Sequence, residues 1–285
     1  MPAHPPAHHR PSIEARGATV FNWFRKHVIA IVATLIFVFL LVPNAVVVWM
    51  SFNKPSGKYN VKWEKFSLDA WKNPLNDGVL HDPLMLSLEI ALLATLVATI
   101  LGTMIAFAIV RHKFKGRGFV NSMLFLPMAA PEIVMGTTLL ALFLNTFGVD
   151  FLGFKSILIA HIMFCISYVV ITVKSRLNGL DPMLEKAAQD LYATPWQTFW
   201  RVTFPLVAPG IGAAALLSFA LSFDDFIITQ MTAGSSVTFP YWIWNAVQKG
   251  IPPQVNVIGS MMLIITLAGI AVAEVPKWLK ASKTR

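Results

Sequence analysis

Charge is what this chain has least of. Only 13% of its 285 residues are Asp, Glu, Lys or Arg, whereas 56% are hydrophobic and the mean hydropathy is +0.63. A water-facing domain of this size carries about a quarter of its residues as charges, so most of this surface must meet a non-aqueous solvent. Cysteine is nearly absent. Cys165 stands alone inside an apolar run, which excludes an intramolecular disulfide and leaves the redox compartment unread. No G-x-x-x-x-G-K-[ST] phosphate loop occurs, and Gly116-Arg117-Gly118 is too short to cradle a nucleotide, so any ATP is bound by another chain. The H-E-x-x-H and G-x-S-x-G patterns are missing too, which argues against an enzyme. A cleavable leader is not expected, because the first apolar run is too long and others follow it. The net charge of +9 does not point to nucleic acid. The basic residues sit in short clusters beside apolar runs, where anionic lipid head groups would meet them.

What is present is a series of six apolar segments, at about 27–50, 84–110, 119–147, 155–173, 204–228 and 254–275. Each approaches or exceeds the about 20 helical residues needed to cross about 30 Å of hydrocarbon, and none alternates as a barrel strand does. An all-α transmembrane protein with six spans is therefore expected. Residues 1–26, rich in Pro, His and Arg, are read as a disordered tail, and 27–285 as the membrane domain. His4, His8 and His9 belong to that tail and are not read as a metal site. With the N-terminus inside, sixteen Lys and Arg fall on the cytoplasmic side and seven outside, so both termini are expected in the cytoplasm. The short loop 111–118, with four basic residues and no acid, speaks most clearly for this. Loop 51–83 speaks against it with five lysines, accompanied by Glu64, Asp69, Asp77 and Asp82.

The polar stretch 174–203 is the most informative. Asp181-Pro182 reads as an N-cap followed by proline at the first helical position. Leu184, Ala187, Ala188 and Leu191 then recur at helical spacing on one face. Thr194-Pro195-Trp196-Gln197 has capping-box spacing and restarts the chain as a second short helix, with Trp196, Phe199 and Trp200 as its apolar face. Pro205 and Pro209 mark the start of the fifth span. Two readings of this pair of amphipathic helices stand side by side: a surface element lying on lipid head groups, or a knob that docks in a groove of a soluble partner.

The run Glu185-Lys186-Ala187-Ala188-Gln189-Asp190-Leu191-Tyr192-Ala193-Thr194-Pro195, continued by Phe199, Val202, Phe204-Pro205-Leu206 and Pro209, resembles the EAA loop of permeases from ATP-binding-cassette (ABC) importers. That resemblance implies a six-helix, MetI-like bundle in a bacterial inner membrane. It implies that Glu185, Lys186, Ala187, Ala188, Asp190, Leu191, Tyr192 and Pro195, within loop 181–203, couple the spans to an ATPase. Two positions depart from the pattern. Lys186 stands where glutamate usually precedes the paired alanines, and Tyr192 stands where glycine would allow a tight turn without the steric cost tyrosine bears, so either the turn differs or the ATPase groove is matched to it. Pro127-Met128-Ala129-Ala130-Pro131-Glu132, Leu221-Ser222-Phe223-Asp224-Asp225-Phe226-Ile227 and Gly250-Ile251-Pro252-Pro253-Gln254-Val255-Asn256 are similar to segments of the spermidine/putrescine branch, C-type permease. The partners so implied are a cytoplasmic ATPase homodimer that binds ATP-Mg, a second permease subunit and an extracytoplasmic substrate-binding protein. The chain itself needs no cofactor.

Ionisable groups within spans are functional candidates. Glu132 lies midway along the third span beside two prolines, and Asp224 and Asp225 close the fifth. A polyamine needs spaced carboxylates and aromatic faces, so Glu132, Asp224, Asp225, Tyr241 and Trp244 are candidate pathway residues. Competing readings are a water-facing acid pair for Asp224 and Asp225, and an interfacial belt for Tyr241, Trp242 and Trp244. Glu89 is read as interfacial, and His161 and Tyr168 as packing groups. Other solutes (a sugar, amino acid, thiamine or ferric iron) and an ATPase-independent transporter are the alternatives.

Overall fold

The computed structural model describes the backbone of residues 13–75 and 80–282, and the side chains of 27–75 and 80–269. Helix α1 spans Ile13–Met50, α2 Asp69–Lys72, α3 His81–Arg111, α4 Arg117–Ala129, α5 Glu132–Phe147 and α6 Phe154–Asn178. They are followed by α7 Met183–Asp190, α8 Pro195–Thr198, α9 Phe204–Asp224, α10 Ile227–Thr232, α11 Phe239–Lys249 and α12 Pro253–Ser282. Only one isolated bridge, Asn53 to Phe66, departs from this all-helical pattern among the described residues. Among the described residues four helices are long and apolar enough to cross a membrane, and a bent pair, α4 with α5, makes a fifth if taken as one span. The sixth expected segment lies in α12, of which Pro253–Gly269 is apolar.

The chain divides into two units, 1–74 with 250–285 and 75–249. In the first, α1 packs on α12 where Gly259 faces Val47; a Cβ on the glycine would lie 3.3 Å from the valine Cγ1. The middle of α1 is bare, with Leu35 and Phe39 exposed, as an apolar surface meant for lipid. The lysine-rich loop after it is ordered from within. Buried Asn53 donates to Asn60 Oδ1 and to the Lys62 carbonyl, both at 2.7 Å, and accepts from the Glu64 amide at 2.8 Å. Two of the loop's acids are engaged locally: Glu64 accepts from Ser56, and Asp69 pairs with Lys54 at 2.8 Å. The Lys54 ammonium holds the Asp69 carboxyl below its ordinary value.

In the second unit α3, α6 and α9 form the core. Between helices in lipid there is little hydrophobic drive, so close backbone approach through small residues takes its place. Helix α3 supplies them as Ala91, Ala94, Ala98, Gly102 and Ala106, all buried. A Cβ on Gly102 would fall 2.7 Å from Val169 Cγ1 of α6.

Three expectations need correcting. The third expected span is not one rod: α4 and α5 meet at a 105° bend at Ala130-Pro131, where Pro131 supplies no amide and its ring obstructs the preceding turn. Helical backbone begins at Ile13, inside the stretch read as a disordered tail; residues 1–12 and the side chains through 26 lie outside the described residues. The helix expected to begin at Thr194 is not separate. It runs through a π turn, Phe199–Thr203, into α9 as one helix, Pro195–Asp224. There the Phe204 amide donates to the Phe199 carbonyl five residues back. Pro205 explains the widening, because its ring would clash with the Arg201 carbonyl in a regular α turn and it has no amide to offer.

Candidate functional site

The loop from Asp181 to Thr203 is built from local hydrogen bonds that its sequence specifies. Asp181 Oδ1 accepts from the Met183 amide at 2.9 Å, capping α7, which starts one residue later than its proline suggested. Thr194 and Gln197 form the expected reciprocal box: the Gln197 amide donates to Thr194 Oγ1 at 3.3 Å, and Gln197 Oε1 accepts from the Thr194 amide at 2.9 Å. Between the two helices the chain turns at Tyr192, whose φ is +62°, the one positive value at a non-glycine among the described residues. The turn that glycine would make freely is thus kept, and the tyrosine bears about 1 kcal/mol of steric strain.

One carboxylate ties this loop to the bundle. Glu185 Oε1 accepts from an Arg111 guanidinium nitrogen at the end of α3, and from Thr203 Oγ1 of the π turn at 2.7 Å. Glu185 therefore faces inward and Lys186 faces solvent. Nearby, Arg176 of α6 donates from Nε to the Leu206 carbonyl at 3.0 Å, and Phe199 sets its ring edge against Phe107 of α3 at 5.5 Å. The side of the loop turned away from these anchors is apolar and bare. Leu191 is 82% exposed and Tyr192 96%, with Met183, Leu184 and Trp196 also exposed. Ala187, Asp190 and Pro195 are exposed around them and Ala188 is half-buried. A braced backbone thus holds these apolar side chains out as an exposed surface.

At the other end of α9 the polar groups turn inward. The backbone leaves the helix at Asp225 (φ −62°, ψ 126°) and resumes as α10. Asp225 Oδ2 accepts from the Thr229 amide at 2.8 Å and lies 3.3 Å from His161 Nε2; the two side chains are 5% and 3% exposed. The same imidazole is hydrogen-bonded at Nδ1 to Ser222 Oγ (2.8 Å) and at Nε2 to Thr229 Oγ1 (3.0 Å). Asp225 thus differs from its neighbour Asp224, which is exposed. Phe226, next in sequence, brings the aromatic candidates together: its ring lies 6.1 Å from Tyr241 and 5.0 Å from Trp244. Glu132 is exposed in the first turn of α5, just past the bend, where a helix N-terminus favours a carboxylate. One turn on, Gly136 lets α5 approach α10, with Met231 Cγ 3.0 Å from where a Cβ would stand. No hydrogen bond or ion pair joins Glu132 to Asp224 among the described residues. Sequence reasoning missed Arg111 and Thr203 as the loop's anchors and gave His161 only a packing role.

An α-helical bundle long and apolar enough for the membrane, carrying an anchored amphipathic loop with a bare apolar face, defines a multi-pass membrane subunit built to work with another protein. The chain belongs to the family described as binding-protein-dependent transport system inner membrane component, whose sequence profile matches residues 98–276. It is 36% identical over 241 residues to the spermidine/putrescine transport system permease protein PotC of Haemophilus influenzae, covering 84% of this chain and 92% of that one. Identity is 34% over 242 residues to PotC of Escherichia coli (85% and 90% covered), and 35% over 240 residues to its putrescine transport system permease protein PotI (82% and 84%). A bacterial ABC transporter involved in import of the acidic polysaccharide alginate shares the fold, with a TM-score of 0.59 at 17% identity over 95% of this chain and 99% of that one. So does the MetNI methionine ABC transporter in inward-facing form, at 0.56 and 14% over 72% and 96%. The chain is therefore an inner-membrane ABC permease, a transport component and not an enzyme, and its family works with a binding protein and an ATPase.

Proposed function

We propose that this chain is one of two permease subunits of an ABC importer for polyamines, with both termini in the cytoplasm and loop 181–203 seated in a groove of a cytoplasmic ATPase. Two copies of the ATPase grip the loops of the two permeases, bind ATP-Mg, and close on it. An extracytoplasmic binding protein delivers the solute. The observation that carries the coupling role is the contrast within the loop: Glu185 and Phe199 fix it to the bundle while Leu191 and Tyr192 project bare. A surface helix resting on lipid needs no such brace. Because Pro195–Asp224 is one helix, force on the loop enters the fifth span without an intervening joint. The motion is rigid-body gating between two states.

Polyamine transport is supported by the names of the relatives and by the company Asp224 keeps. An exposed carboxylate two residues along the chain from a cluster of three aromatic rings suits an ammonium group, which gains from both ion pairing and cation–π attraction. Glu132 on α5 offers a second, spaced carboxylate.

Ala188→Glu, placing a bulky acid on the docking face, is expected to abolish ATP-driven uptake and co-purification of the ATPase. Unchanged uptake with the ATPase still bound would remove the docking role. For the substrate, the complex reconstituted in proteoliposomes should take up spermidine or putrescine but not a neutral sugar, and the pair E132Q/D224N should lose the cation uptake. Sugar uptake that survives the neutralisation would favour the neutral-solute alternative.

A further inference from the structure

We infer that His161 is a positioning residue for solute selection: it holds Asp225 inside the bundle and thereby sets Asp224 and the Phe226–Tyr241–Trp244 rings in their outward arrangement. The inference rests on the reading of Asp224 as a solute contact.

One imidazole bridges both sides of a break in the chain. Ser222 belongs to the last turn of α9, Asp225 is the extended residue after it and Thr229 belongs to α10, and all three lie within 3.3 Å of a ring nitrogen of His161 on α6. Asp225 is the single extended residue between the helical end of α9 at Asp224 and Phe226, which is back in helical geometry (φ −112°, ψ −43°), so its placement sets how the chain passes from one helix to the next. With the Asp225 side chain buried, Asp224 on one side of it is exposed, and Phe226 on the other reaches Tyr241 and Trp244. The carboxylate stays buried only because it is matched: the imidazole faces it from α6, and the Thr229 amide donates to it from the start of α10. Without the imidazole, a buried carboxylate retains the amide but loses its main compensation, and rotation toward water becomes its lower-energy choice. That rotation carries Asp224 and Phe226 off station although the polar partners of His161 are Ser222, Asp225 and Thr229.

A packing role and a positioning role separate in a selectivity measurement. The complete complex, with ATPase, second permease and binding protein, is reconstituted in proteoliposomes. Spermidine and putrescine uptake rates are compared at saturating loaded binding protein for wild type, H161Q, D224N and H161Q/D224N. Positioning predicts that D224N and H161Q each shift the spermidine-to-putrescine ratio in the same direction, by about threefold or more. It also predicts a double variant no further shifted than D224N alone, because residues acting through one another are not additive. H161Q lowering both rates equally overturns the inference, as does a double variant whose shift is the product of the singles. A D224N ratio equal to wild type overturns the solute reading of Asp224, and this inference with it. If H161Q prevents assembly, S222A serves in its place; it removes one hydrogen bond to Nδ1 and is expected to shift the ratio in the same direction by a smaller factor, and an unchanged ratio overturns the inference.

Discussion

The two ends of helix α9 hold the same trio of groups in opposite solvents. At the loop end an acid, a base and a hydroxyl (Glu185, Arg111 and Thr203) meet with a fifth to a third of the ion pair's side-chain surface still exposed. At the far end Asp225, His161 and Thr229 repeat the arrangement with almost none. Half in water, an ion pair contributes about 1 kcal/mol or less, because the solvent competes for both partners. Buried, the same chemistry adds little net stability while complete, yet loss of one partner costs about 3–5 kcal/mol. The first trio suits an element that must be fastened yet able to move. The second suits a part that must not shift at all.

Substitutions can break that contrast in order of size. Asp225→Ala or His161→Ala should cost about 3–5 kcal/mol; the complex is expected in low yield, with a thermal midpoint in detergent several degrees lower. A midpoint unchanged within error would mean that the pair carries no such weight. Glu185→Ala should cost only about 1 kcal/mol, but it frees both anchors of the loop. Trypsin cleavage at Lys186 and Arg201 should quicken while the bundle stays folded, and equal cleavage in the two proteins would deny the brace. Smallest is Tyr192→Gly, which relieves the positive φ and should stabilise the turn by about 0.5–1 kcal/mol. Slower hydrogen exchange at the 187–193 amides would register it, whereas faster exchange would show that the tyrosine side chain holds the loop.

Legibility in the sequence follows the same divide. The loop's caps at Asp181 and at Thr194-Gln197 were readable because both partners lie within three residues of each other. Tyr192 stood out only because the permeases this chain resembles carry glycine at that position, which left a different turn open as well; the positive φ shows that the turn is kept. The bend near Pro131 was foreshadowed by its prolines, although not its size. What could not be read was pairing across distance. Arg111 lies 74 residues from Glu185, and His161 meets Asp225 only once α6 packs on α9 and α10. Of two adjacent aspartates, nothing in the sequence says which is turned in. His161 looked like a packing group because a lone histidine on an apolar helix usually is one. The π turn was hidden as well, since a proline near a helix start ordinarily needs no distortion.

That turn also sets an angle. A residue inserted into a helix advances everything upstream of it by about 100° around the axis. The extra residue in Phe199–Thr203 therefore indexes Thr194 and the preceding hairpin against the face of the span that ends at Asp224. Shortening the segment by one residue would keep the rod intact and turn the greasy tip about 100° from its present direction.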